Sequence, residues 1–252
     1  MIQSIIILVF STILIRFLIK FKGASKKDLD RAELTKEFRA FDLRLLFGFF
    51  FLLLANTIVL TYFLHQLSKL ELGSESIPEY VIKPGLAAWG VVGMMLSLSV
   101  SFAILIFLVS QIKKEKAPNY WRYYNLKYGF NASGILKHLC IVIVCVATVF
   151  YVSQVNSYVK FYSDSIVINK MLETAGRTYQ YSEVSEITHY LKKVAPNGNV
   201  VDKPHYEIKF KDGFTWRTTD DLRTPNIHDD KIFNWLLEQT GLTLKEQELD
   251  KQ

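Results

Sequence analysis

Few side chains in this sequence could do chemistry, and they seldom come together. The densest group is His228-Asp229-Asp230, an imidazole beside two carboxylates, with Asp220 and Asp221 just upstream. Such a set could ligate a divalent cation, yet its spacing matches no EF-hand loop. The trio also opens an amphipathic helical run, where first-turn acids complement the positive helix end. Capping is therefore the reading its position favours. Cys140 and Cys145 stand five positions apart within one apolar run, so on a helix they face different directions and form neither a disulfide nor a metal pair. No glycine-rich phosphate loop, GxSxG, HExxH or CxxC is present. The expectation is a protein that is not an enzyme, with no catalytic residues, no cofactor and no metal.

The elements that would position these residues divide sharply at the stretch Ile135 to Val155. Its Leu139 to Tyr151 core carries no charge, and its length suits a bilayer, which takes about 20 apolar residues in a helix. The chain is 50% hydrophobic, with a mean hydropathy of +0.17, and the apolar runs all precede residue 156. The expected domains are 1–155, a membrane bundle of four transmembrane helices (about 2–20, 45–65, 87–112 and 135–155), and 156–252, a water-soluble α+β domain. Arg16, inside the first run, lies near its end and can snorkel to headgroups. No positive charge precedes that run and several follow it, so it reads as an uncleaved anchor.

Between the crossings the pattern alternates. Ser25 to Arg44 carries a capping-box spacing at Ser25 and Asp28, then an apolar stripe of Leu29, Leu34, Phe38, Phe41 and Leu45, as in an amphipathic helix running into the second crossing. That crossing is interrupted by Asn56, Thr57 and Thr61, groups that hydrogen-bond to a neighbouring helix at about 0.6 kcal/mol each. In the third, Gly93, Ser97 and Ser101 repeat every four residues, a small-residue stripe that holds a bundle together or mediates self-association. Trp89 stands where an interfacial anchor belongs. The Lys113 to Gly134 connector interleaves Tyr120, Trp121, Arg122, Tyr123 and Tyr124 with further cations. Aromatics among cations can stack single-stranded nucleic acid, but a short connector between crossings lies in the headgroup layer, so these residues read as membrane-interface residues and nucleic acid is not an expected partner.

Orientation follows from charge. Lys20 to Arg44 holds eight Lys or Arg and Lys113 to Lys137 six, against two in Gln66 to Leu86. Basic connectors stay in the cytoplasm. The expected location is a multi-pass protein of the inner (plasma) membrane, with the N-terminus and the C-terminal domain both extracytoplasmic.

Beyond residue 156 the period changes from helical to alternating. Tyr158 to Ser163, Ile166 to Lys170, Arg177 to Tyr181, Ser185 to Lys192, Val200-Val201, His205 to Lys211 and Phe214 to Thr218 read as seven strands. Ser185, Ile187, His189 and Leu191 share one face of the fourth, and Tyr206, Ile208 and Phe210 one face of the sixth; Asn197-Gly198 and Asp212-Gly213 are hairpin turns. A helix with Ile232, Phe233, Leu236 and Leu237 on its apolar face follows, closed by Gly241. The run Tyr206 to Trp216 with the Ile232 to Gly241 helix, and the run Tyr179 to Ile187, resemble the bacterial pleckstrin-homology-like (PH-like) domains appended to membrane helices. The resemblance covers about the last 90 residues and implies a seven-stranded half-open barrel with a capping C-terminal helix, serving in binding or assembly. Lipid-binding members use Lys and Arg in the first inter-strand loop, whereas here that turn, Tyr162 to Ser165, has Asp164 and no base, which argues against phosphoinositide. The expected function is a non-enzymatic membrane protein that presents this domain to a protein partner or to copies of itself. The alternative is a toxin-immunity or phage-defence protein, or a ligand-responsive pore.

Overall fold

The computed structural model describes residues 2–20, 31–69, 78–112, 116–173, 175–195, 197–220 and 229–250. Ser25 and Asp28, Leu29, Lys113 and Lys114, Asp221 and His228 lie outside the described residues.

Among the described residues, four helices are long and apolar enough to cross a membrane: α1 (Ile2–Lys20), α2 (Arg31–Ser68), α3 (Leu86–Ile112) and, after the short connector helix α4 (Ala117–Tyr128), α5 (Ala132–Val155). The chain is a multi-pass membrane protein. At 1.5 Å per residue the 38 residues of α2 reach about 57 Å, well past a hydrocarbon core of about 30 Å, so its first turns project beyond the crossing. Pro118 starts α4, where a missing N–H costs nothing, and Gly129 ends it at φ 76°. Asn131 then caps α5, its Oδ1 accepting the Gly134 N–H at 3.0 Å, while Asn125 Oδ1 accepts the Ser133 N–H at 2.9 Å.

The chain forms two compact units. One comprises Met1–Leu70 and Trp89–Val152, the other Glu71–Ala88 and Ser153–Gln252. A single cut at residue 155 misses this, because the segment between α2 and α3 supplies β1 (Tyr80–Ile82) to the second unit. In the first unit α3 is the central helix, with 44% of its apolar window buried, and α2 the peripheral one, with 6%. Ser11 Oγ meets Thr148 Oγ1 at 2.7 Å between α1 and α5, and Ser99 Oγ donates to the Cys140 carbonyl at 3.0 Å between α3 and α5.

The second unit has two four-stranded sheets. The first is an antiparallel meander of β1, β2 (Tyr158–Phe161), β3 (Ser165–Asn169) and β4 (Arg177–Gln180). The second runs β7-β6-β5-β8, made of β5 (Val184–Val194), β6 (Val200–Phe210), β7 (Thr215–Arg217) and, after helix α6 (Asp229–Thr240), β8 (Lys245–Asp250), which pairs parallel to β5. Their shared core holds Phe161, Ile168, Ile187, Ile208, Phe210 and Trp216, with Ile232, Phe233 and Leu236 of α6 packed into it.

Seven strands in one half-open barrel is therefore corrected to eight strands in two sheets among the described residues. Val200-Val201 and His205 to Lys211 are one continuous strand, because Pro204 falls beside a bulge in the pairing and no ladder bond is lost there. β1 is too short to show alternation, and β8, Lys-Glu-Gln-Glu-Leu-Asp, has no apolar face to read. Nor does α6 end the described chain, since β8 follows it. The face drawn through Ser185, Ile187, His189 and Leu191 is also broken: bulges at Val184/Glu186 and Tyr190/Lys192 leave Ile187 buried and Ser185 and Leu191 exposed.

Candidate functional site

The small-residue stripe of α3 faces the polar residues of α2. Asn56 Nδ2 donates to Ser101 Oγ at 2.9 Å, and Thr57 Oγ1 meets Ser97 Oγ at 2.7 Å. A Cβ placed on Gly93 would stand 2.3 Å from Thr61 Oγ1 and 2.9 Å from the Thr61 backbone nitrogen, so only glycine allows this approach. Gly93, Ser97 and Ser101 thus meet Thr61, Thr57 and Asn56 in one seam within the chain. Lipid supplies no hydrophobic drive for helix pairing, so close backbone approach and these neutral hydrogen bonds carry it.

A second cluster forms where α4 folds back on the first turns of α2. Tyr120, Trp121 and Tyr123 are buried against Leu34 and Phe38 of α2, Leu14 and Leu18 of α1, and Phe102 and Val109 of α3. The Tyr120 hydroxyl donates to Asp42 Oδ1 at 2.9 Å, and Lys127 Nζ donates to Asp42 Oδ2 at 2.6 Å. Lys116 pairs with Glu37 alongside. Burial, and then the Asp42 carboxylate, push the Tyr120 phenol well above its ordinary range, so it stays protonated and remains a donor. Burial, and then Tyr128, push Tyr124 up to about 12. Of the residues assigned to the membrane interface, Tyr120, Trp121, Tyr123 and Trp89 turn their rings into protein, Trp89 against Tyr151 with ring centroids 5.6 Å apart, while Arg122 and Tyr124 are half-buried. The apolar bodies of Tyr120, Trp121 and Tyr123 complete the core where α4 meets the bundle. Asp42 was missed as their anchor. Its signal was its isolation, a lone acid between Arg39 and Arg44 just ahead of an apolar run.

The third cluster, in the second sheet, is ionic. Arg217 Nε donates to Glu207 Oε2 at 2.6 Å across the β6–β7 hairpin, where the two residues pair directly. His205 Nε2 lies 3.2 Å from Asp250 Oδ2, and its Nδ1 lies 2.9 Å from the Lys203 carbonyl oxygen. Arg217 Nε comes within 4.0 Å of Asp250 Oδ2, and all four side chains are 13% exposed or less. His205 also stacks on Tyr190, centroids 5.2 Å apart. Both imidazole nitrogens are engaged, so the group serves as a lock rather than a proton relay. It fastens β8 at the bulge where β5 and β6 bend. Beyond that bulge the hairpin continues as an arm with Leu191, Val200 and Val201 exposed by 45%, 55% and 39%. The Glu207–Arg217 pair was legible in principle, because the Asp212-Gly213 turn sets the register; His205–Asp250 bridges 45 positions and gave no local signal.

Two of the acids singled out for cation binding, Asp230 and Asp220, have structural partners. Asp230 Oδ1 accepts the Tyr206 hydroxyl at 2.8 Å at the start of α6. Asp220 Oδ2 accepts the Arg217 backbone N–H at 3.2 Å and stands 3.1 Å from Lys170 Nζ. Among the described residues no three of His, Cys, Asp or Glu converge as a metal site would require.

Bundle, seam and locked sheets define a class: a polytopic membrane protein carrying a two-sheet domain built from two segments of the chain. No protein-family model matches the sequence, and no curated protein matches it.

Proposed function

We propose that this is a non-enzymatic integral membrane protein of the inner (plasma) membrane whose two-sheet domain, held outside the cytoplasm, docks a protein partner or a second copy of the chain. The observation that carries the reading is the β5–β6 arm. Leu191, Val200 and Val201 remain in water beyond the bulge, while the buried His205–Asp250 contact and the Lys192–Glu248 pair at 2.9 Å brace the arm through β8. A braced apolar projection binds at small entropic cost, because its backbone is ordered beforehand. The resemblance to PH-like modules, which bind or assemble, supports the same class of role. The side of the membrane rests on the cation-rich connectors of α1–α2 and α3–α5, which favour the cytoplasm.

The test is site-directed photo-crosslinking in native membranes. A photoreactive residue at Val200 is expected to capture a discrete adduct, either a dimer or a heterocomplex, while one at exposed Ser163 in the β2–β3 turn captures none. A monomer at both positions removes the docking role. Protease accessibility on intact cells tests the orientation separately, and digestion only after lysis would reverse it.

A further inference from the structure

Leu172 is the one non-glycine among the described residues with a positive φ, 71°, and it is 72% exposed. A leucine in the left-handed region suffers a steric clash that glycine avoids, and nothing in this turn buries its side chain in return. The turn is nevertheless built firmly. The Glu173 N–H donates to the Lys170 carbonyl at 3.1 Å, the Lys170 N–H donates to Glu173 Oε2 at 3.2 Å, and Arg177 Nη2 donates to Glu173 Oε1 at 3.2 Å. Lys170 and Arg177 in turn lie over the Phe214 ring, 4.7 and 4.4 Å from its centre.

Strand register says where this turn points. Tyr158 of β2 pairs with Asn169 of β3. Moving three residues back from Tyr158 reaches Val155, the last residue of α5; moving three residues on from Asn169 reaches Leu172. Both paths leave the sheet at the same end, each spanning at most about 10 Å. β1 agrees: Ile82 pairs with Val159, and Lys83-Pro84-Gly85 then leads into α3 at Leu86. Two membrane-crossing helices therefore connect to this end of the sheet, the same end that carries the exposed Leu172 turn. Lys83, Lys170, Arg177 and Tyr158 flank the strand ends there, with Lys170 paired to Asp220 and Arg177 to Glu173, and ion-paired cations beside an aromatic and an aliphatic tip suit a headgroup layer.

We infer that the Met171–Leu172 turn is a membrane-inserting tip, with Leu172 seated among phospholipid headgroups and the first methylenes beneath them, so that the sheet domain rests on the bilayer. The inference holds whichever side of the membrane the domain occupies, and it needs no protein partner. It is tested on the full chain in phosphatidylcholine–phosphatidylglycerol vesicles, in a Cys145→Ser background that leaves only the buried Cys140. Bimane is attached at Leu172→Cys or, as control, at Ser163→Cys in the exposed turn at the opposite end of the β2–β3 hairpin. The expected result is quenching by nitroxide-bearing lipids at 172 and not at 163, with iodide in solution quenching 163 several-fold more strongly than 172. Equal iodide quenching at both positions, or shielding of 172 from both quenchers, overturns lipid as the occupant.

Discussion

The helix seam and the sheet lock solve one problem, holding distant chain segments together through polar groups, with opposite chemistry. Between α2 and α3 the hydrogen bonds are neutral, Asn56 to Ser101 and Thr57 to Ser97, and Gly93 lets Thr61 come close. In the second sheet charged groups take part: Arg217 forms an ion pair with Glu207, and the Asp250 carboxylate faces His205. The difference follows from the surroundings. An ion at bilayer depth has no water to fall back on and costs at least about 2.5 kcal/mol, whereas a β domain in water recruits charges and shields them within its own fold. The elbow at Asp42 falls between the two, with one carboxylate shared by a phenol and an ammonium where the bundle meets its connector.

That contrast can be broken most decisively at Glu207. Replacing it by Ala leaves the Arg217 guanidinium, 13% exposed, without its main partner, and removing one member of a buried pair costs about 3–5 kcal/mol. Denaturant titration of the detergent-solubilised chain, followed by the fluorescence of its tryptophans, should show this as a large fall in midpoint. A loss below about 1 kcal/mol would mean that water reaches the pair.

Gly93→Val probes the neutral side and is expected to cost less, about 1–3 kcal/mol, because α2 is peripheral and can move outward rather than tolerate the clash with Thr61. Thermal unfolding in detergent reads it, and an unchanged midpoint would show that the seam does not hold α2 in place.

The smallest effect is expected at the rim of the sheet. Lys245 Nζ lies 2.8 Å from Glu186 Oε2, and hydrogen bonding to Lys245 holds the Glu186 carboxyl below its usual range. A carboxyl lowered in the folded state contributes stability that is fully present above its unfolded value and lost as pH falls through its folded value. Lys245 is 59% exposed, so solvent screens the pair to below about 1 kcal/mol. Lys245→Ala should therefore lower stability slightly at neutral pH and not at all in acid below the folded value. A difference that persists in acid would assign the effect to packing of β8 instead.

How much was legible beforehand varied with the range of the interaction. The crossings announced themselves as apolar runs, since every residue of such a run contributes to the same signal. The polar interruptions Asn56, Thr57 and Thr61 and the stripe Gly93, Ser97 and Ser101 were each visible, but not that they meet, because two helices sharing a period can pair in several registers. The aromatic connector shows the limit of composition. Tyr120, Trp121 and Tyr123 suit a headgroup layer and a protein core equally well, and it is their packing on α1, α2 and α3, with Asp42, 78 positions before Tyr120, accepting its hydroxyl, that places them inside. β1 and β8 were invisible for a related reason: one is three residues long and the other is held by polar and charged partners on β5 and β6.

By itself the sequence determined that the chain alternates membrane-crossing runs with basic connectors and ends in a strand-rich domain, because hydrophobic length and charge placement are local properties. Only the tertiary structure decided that the α2–α3 segment belongs to that domain, that β8 pairs into its second sheet, and that Leu172 takes a positive φ in an exposed turn. Each of these depends on strand register and ion pairing between residues far apart in the chain, and no local pattern encodes which of several partners a short or charged segment will take.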